Sequence, residues 1–152
     1  MDVSTRAVGA SDSAAIAAIL NRIIETGLFT AFDTAVSVEA ERAYIERFPA
    51  RGVFLVAERP DDRQVVGFQS MEPFADFTHA FDHVGVLGTY VDLACRRQGI
   101  ARQLFAATFD AARRKDYRKI FTYIRADNPA ALATYVNHGF SIVGVAREQA
   151  KI

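Results

Sequence analysis

The 152-residue sequence contains one cysteine, Cys95, so it can build neither an intrachain disulfide framework nor a cysteine-rich zinc site, and it fits a reducing compartment. It carries no net charge: 18 basic and 18 acidic side chains cancel, which removes long-range attraction to nucleic acid or an anionic membrane and leaves only a local basic patch at residues 96–102. No apolar run approaches the ~20 residues that span a bilayer. Met1-Asp2-Val3-Ser4 lacks the basic start and apolar core of a signal peptide. No Pro, Gly or Ser linker, internal repeat or low-complexity tract divides the chain. These absences describe a soluble, cytoplasmic chain forming one domain over residues 1–152, with a small molecule as partner rather than nucleic acid or a membrane.

The residues that are present alternate between strand and helix patterns. Val3 to Val8 reads as a first strand, and Ser11 or Asp12 then caps a helix with Ile16, Ile19, Leu20, Ile23 and Ile24 on one face, ended by Gly27. Ser37 caps a second helix, with Glu39 and Glu41 in its first turn and Tyr44, Ile45 and Phe48 facing inward, stopped by Pro49 and Gly52. Val53 to Glu58 and Val65 to Glu72 flank turn residues Arg59 to Arg63, the pattern of a hairpin. A strand over Val84 to Leu93, a helix from Ile100 to about Lys115, a strand over Lys119 to Arg125, a short helix opening at Asn128-Pro129 and ending at Gly139, and a last strand over Phe140 to Val145 follow. This order describes an α+β, mixed α/β fold with a β-α-β-α unit inside a mixed sheet.

The junction Tyr90-Val91-Asp92-Leu93-Ala94-Cys95-Arg96-Arg97-Gln98-Gly99-Ile100-Ala101-Arg102 has the outline of an anion site. Where a turn feeds a helix, backbone N–H groups without intrahelical partners converge at the positive end of the helix dipole. Gly99 allows close approach, and Arg96, Arg97 and Arg102 add charge, although a basic helix start is equally the pattern of a solvated charged face. The glycine spacing is neither that of a P-loop nor Gly-x-Gly-x-x-Gly.

The spacing Arg-x-x-Gly-x-Ala, with Asn128 and the run Tyr135-Val-Asn-His-Gly-Phe140, resembles the GNAT superfamily of N-acetyltransferases. Tyr90-Val91-Asp92 and the ending Gly139 to Glu148 are similar to its branch of phosphinothricin and amino-acid N-acetyltransferases. The resemblance implies a central twisted mixed sheet with helices on both faces, in which strands 84–93 and 119–125 lie parallel and splay apart to admit acetyl-CoA as cosubstrate, with no metal. By the same resemblance, backbone groups of Val91 and Leu93 pair with pantetheine, and the Val91 N–H faces the acetyl oxygen. Arg97, Gln98, Gly99, Ile100, Ala101 and Arg102 hold the pyrophosphate, and Tyr135 acts as the general acid for the leaving thiolate. Asn128 reads as a helix cap, a cofactor contact or both. The implied activity is direct acetyl transfer to a primary amine of a small molecule, an amino acid or analogue among the possibilities; a non-catalytic acyl-CoA-binding module is the alternative.

Departures from that branch bear on mechanism. Where it carries a glutamate base, five residues before Val91, this chain has Val86, so either no side chain deprotonates the amine or Asp82, His83 or Glu72 acts through water. No Lys or Arg occurs between Arg63 and Arg96 to bind a phosphinate or carboxylate from the third and fourth strands. Phe29, Phe32, Phe74, Phe77 and Phe81 read as an apolar acceptor pocket or as packing. His79 and His83 lack a third ligand for zinc, and Cys95 has no histidine beside it in sequence to make it a nucleophile. The family's seventh strand has no counterpart after Lys151-Ile152: either the given chain is incomplete or the strand is absent, and in the latter case a homodimer could cover the unpaired edges.

Overall fold

The computed structural model describes all of residues 1–152. Strand β1 (Ser4–Ala7) and one 3-10 turn lead into helix α1 (Ser13–Thr26), whose expected apolar face is buried throughout. Gly27 ends the helix at φ 66°, a left-handed conformation that a side chain disfavours. The expected cap does not form. Asp12 has helical backbone (φ −82°, ψ −8°) instead of the extended backbone of a cap, and its carboxylate accepts from the Arg6 guanidinium at 2.8 and 2.9 Å and from the Gly9 N–H at 2.8 Å. Helix α2 (Val38–Glu46) has its expected cap, with the Ser37 hydroxyl accepting from the Ala40 N–H at 3.0 Å.

Strands β2 (Val53–Glu58), β3 (Val65–Pro73), β4 (Val84–Val91) and β5 (Lys119–Phe121) join β1 in a five-stranded sheet in sequence order. The first four run antiparallel and β5 is parallel to β4, with helix α3 (Ile100–Arg114) in the crossover and helix α4 (Pro129–Asn137) after β5. The fold is thus mixed α/β with helices on both sheet faces. Helix α1 covers one face through Phe54, Val56 and Phe68, and α3 covers the other through Val53, Ala57, Val66 and Met71. Ile100, Leu104 and Phe105 in the first turns of α3 are essentially inaccessible. Burying side chains of this size stabilises by roughly 1.5–3 kcal/mol each, enough to anchor the start of α3 against the sheet.

Three strands depart from their expected extents by more than one residue. β4 stops at Val91 instead of Leu93 because the Asp92 carboxylate accepts the Ala94 N–H at 3.0 Å and turns Leu93–Cys95 into a single 3-10 turn. β5 stops at Phe121 instead of Arg125: the next contact to β4 is made by a side chain, the Thr122 hydroxyl on the Leu87 carbonyl at 2.8 Å. Phe140 to Val145 joins no ladder, and Ile142, Val143 and Val145 are exposed. Strand propensity is realised through pairing and burial; Phe140 packs against Tyr135 and Phe105, but the residues after it have neither. No helix is long and apolar enough to cross a membrane.

Candidate active site

The parallel pair β4–β5 is zipped at only three positions, Val84 with Lys119, Gly85 with Ile120 and Val86 with Phe121. The antiparallel ladder on the other edge of β4 continues to Gly67–Val91, and the Asp92 N–H reaches the Val66 carbonyl at 2.9 Å. Peptide groups alternate between the two edges of a strand, so with Asp92 turned towards β3 the N–H groups of Thr89 and Val91 point the other way, into the gap. A free strand edge beside a neighbour that has left it can accept an extended chain. Leu93, expected on the strand, lies just past its end, and its N–H bonds no backbone carbonyl.

The turn after this edge runs through left-handed backbone at Arg97 (φ 60°) and Gly99 (φ 79°). Such turns gather N–H groups into a concave donor site, a nest. The N–H groups of Arg97, Gln98, Gly99, Ile100, Ala101 and Arg102 bond no carbonyl; the first in α3 to do so is that of Gln103, to Gly99 at 3.3 Å. A Cβ built on Gly99 would meet nothing within 4 Å, so the nest opens on free space. Gln103 braces it, its Oε1 accepting the Val3 N–H at 3.1 Å while its Nε2 donates to the Gly99 carbonyl at 3.2 Å. The chain therefore fits a diphosphate here in both backbone geometry and charge.

Across the gap, Asn128 caps α4 through its Oδ1, which accepts the Ala131 N–H at 3.1 Å. Tyr135 is 7% exposed, its ring edge-on to Phe105 and Phe140, and its hydroxyl lies 2.7 Å from Thr89 Oγ1. Burial pushes the phenol pKa up, with hydroxyl contacts to Thr89 and Thr122 acting the other way, so Tyr135 is protonated at neutral pH. Gln69 Nε2 donates to the same Thr89 oxygen at 3.0 Å, while Gln69 Oε1 is buried without a partner. Sequence reasoning missed Thr89 and Gln69. Their signal is a polar side chain at an inward strand position, visible only once the register is known.

The opposite face of the sheet carries Glu72, Val86 and Phe121 side by side on β3, β4 and β5. The Tyr44 hydroxyl donates to Glu72 Oε1 at 2.7 Å. Phe74, Phe81, Val84, Lys119, Phe121 and Tyr123 line a cavity of about 200 Å³ on this side. The five phenylalanines expected to act together are divided: Phe74 and Phe81 stack edge to face by β5, and Phe77 is 82% exposed. Phe29 lies instead under the Arg96 guanidinium, 4.1 Å from its ring centre. Arg125 donates to the Gly27 and Thr30 carbonyls at 2.9 and 3.0 Å, so two arginines distant in sequence brace the loop after α1. Asp82 is taken by His79, 3.0 Å away, and no group of three or more His, Cys, Asp or Glu side chains converges as a metal site.

Comparisons with known proteins agree with this geometry. A ribosomal-protein-alanine N-acetyltransferase from Brucella melitensis superposes with a TM-score of 0.88 at 31% identity, over 97% of this chain and 90% of that one. A GNAT superfamily phosphinothricin acetyltransferase from Sinorhizobium meliloti, in complex with acetyl-CoA, shares the fold at 18% identity, with a TM-score of 0.89 over 99% of this chain and 80% of its own. A curated mycothiol acetyltransferase from Nocardia farcinica is 31% identical over 94 residues, 62% of this chain; the chain spans about 30% of that relative's length. The family model described as "Acetyltransferase (GNAT) family" matches residues 19–140, and with the unzipped strand pair and the helix-start nest on the same stretch, the chain belongs to that family.

Proposed function

We propose that residues 1–152 form one catalytic domain that transfers acetyl directly from acetyl-CoA to the primary amine of a small molecule, without a covalent acyl-enzyme. The observation that carries this reading is the end of the β4–β5 ladder at Val86–Phe121, with the Val91 N–H on the free edge and the Tyr135 hydroxyl beside Thr89. Pantetheine would lie along the edge against Thr89, Val91 and Leu93, and its diphosphate would be held by the nest from Arg97 to Arg102. Asn128, whose Oδ1 caps α4, would use its amide N–H₂ towards the cofactor.

The amine nitrogen attacks the acetyl carbonyl, and the N–H of Val91 opposes the charge that develops on its oxygen. Tyr135 protonates the departing sulfur. A CoA thiolate is already a fair leaving group, so the tyrosine contributes modestly, whereas delivering the amine unprotonated is the harder requirement at neutral pH.

The test is thiol release from acetyl-CoA with a panel of amino acids, their sulfone analogues, polyamines and an alanine-starting peptide. Release with small amines supports the reading. Release with the peptide alone would make the acceptor a protein, as the name of the Brucella relative, a ribosomal-protein-alanine N-acetyltransferase, states for that enzyme. CoA binding with no release for any amine would identify an acyl-CoA-binding module.

A further inference from the structure

We propose that Glu72 takes the proton from the acceptor's ammonium group. This rests on the acetyl-transfer reading above. Glu72 is the direct cross-strand partner of Val86, and Val86 is the last residue of β4 paired with β5. Partners on adjacent strands have Cβ atoms ~5 Å apart, so the carboxylate stands one strand from the mouth of the gap. Asp82 and His83 lie before β4 begins at Val84, and Val84 itself stands two residues, about 7 Å of strand at ~3.3 Å per residue, from Val86. Asp82 is also engaged by His79 at 3.0 Å and by Arg51 at 3.9 Å. Proximity therefore separates the three acidic or basic candidates.

The carboxylate is also held and available. Tyr44 donates to Oε1, and the Tyr44 ring is fixed edge-on by Phe48, with centroids 5.6 Å apart, and tilted against Phe54 at 6.1 Å. Oε2 takes no hydrogen bond from the protein, and no Lys or Arg forms an ion pair with Glu72. A partly buried carboxylate with a free oxygen and no cation suits an incoming ammonium. The titratable neighbours on this face are Tyr44 and the buried Glu41 from α2, Tyr90 from β4, and Lys119 and Tyr123 at the cavity beside Phe121; burial raises the pKa of Tyr44, Glu41 and Tyr90, to about 12 for Tyr90. Arg47 lies over the Tyr44 ring at 5.7 Å.

Glu72 and Tyr135 work from opposite faces. Thr89, which bonds Tyr135, is three residues along β4 from Val86 and so points to the other side of the sheet. The acceptor's ammonium gives one proton to Glu72, which passes it to water, and the nitrogen lone pair forms the C–N bond. As the C–S bond breaks, the sulfur takes the Tyr135 proton, and the phenolate regains one from the second proton that the nitrogen loses. One amide, one free thiol and one solvent proton result.

The experiment measures kcat/KM against pH for the wild type and Glu72→Gln with two acceptors of different amine pKa, alongside thermal protection by CoA. In the wild type, a lower-pH break common to both acceptors is expected. Glu72→Gln should lose about 100-fold or more near neutrality, retain CoA protection, and leave a residual rate that climbs towards each acceptor's own pKa. A wild-type break that follows the acceptor, or a Glu72→Gln rate within threefold of wild type when chemistry is limiting, overturns the proposal. If the variant does not fold, the wild-type profile with the two acceptors decides alone. Thiol release absent for every amine in the wild type would defeat the acetyl-transfer reading itself, an outcome distinct from an active Glu72→Gln enzyme.

Discussion

The Tyr135 hydroxyl lies 2.7 Å from Thr89 Oγ1, which also accepts a hydrogen bond from Gln69 Nε2 at 3.0 Å. With the Gln69 amide donating, the proton of Thr89 is free to turn towards Tyr135. A neutral Tyr135 can therefore give up its proton and have the phenolate met at once by the Thr89 hydroxyl. This arrangement joins α4, β4 and β3 at the point where β4 and β5 part.

Tyr135→Phe is expected to lower turnover by about 100-fold or less, the low end of general acid–base contributions, because the thiolate leaves readily without help. CoA affinity should stay within a few-fold, since only the hydroxyl is lost. Single-turnover kinetics with a saturating amine check this. Wild-type turnover under chemistry-limited conditions would return Tyr135 to a packing role.

Gly99→Glu should abolish thermal protection by CoA. Gly99 sits at φ 79°, a conformation unfavourable for any side chain, and the carboxylate would enter the free space beside the nest. A ligand that binds only the native state stabilises it by mass action, about 2.7 kcal/mol at a hundredfold excess over Kd, so the wild-type shift is measurable by thermal melting. An unchanged shift would place the diphosphate elsewhere.

Gly67→Ala tests the seating of α3. A Cβ there would lie 3.1 Å from the Tyr90 carbonyl oxygen and 3.2 Å from Ile100 Cγ2, with Leu104 Cδ1 at 3.5 Å. The backbone oxygen cannot yield without disturbing the β3–β4 ladder, so the helix start must shift. Overpacking of this kind costs roughly 1–3 kcal/mol. Denaturant unfolding should show that loss, and CoA affinity should fall with it because the displaced turn carries the nest.

Asp12 sets part of the acid limit of stability. The Arg6 guanidinium beside it, helped by the Gly9 N–H, holds its carboxyl below the ordinary range. A depressed native value means that the unfolded chain binds more protons in that interval, so stability rises with pH there. The contribution is complete above the ordinary carboxyl value of ~4 and is lost as pH falls through the native one. Asp12→Asn should cost about 1.5–3 kcal/mol at pH 7, the worth of hydrogen bonds to a charged group, and should flatten the loss of Tm below about pH 4. Equal Tm values for both proteins at pH 7 would show that the pair adds nothing net.

The features legible in the sequence are those decided within a few residues. The apolar spacing of α1 and its stop at Gly27, the Ser37 and Asn128 caps, the hairpin around Arg59 to Arg63 and the start of α3 at Gly99 each follow from local periodicity, capping or a positive φ. Resemblance to a family supplied the splayed strand pair. It did not reach the residues peculiar to this chain.

Tertiary structure decided whatever depends on register and on which face a side chain occupies. Asp12 reads as a helix cap until β1 brings Arg6 to it, and Phe140 to Val145 reads as a strand although no neighbour pairs with it. Glu72 is fourteen positions from Val86 in the chain and beside it in the sheet, because the β3–β4 ladder folds the two together. Thr89 and Tyr135, 46 residues apart, meet only because β4 outruns its pairing with β5 and α4 closes over the difference. Strand propensity and capping are short-range energies written in neighbouring side chains; an acid placed next to an empty catalytic position is a product of long-range pairing, which no local pattern encodes.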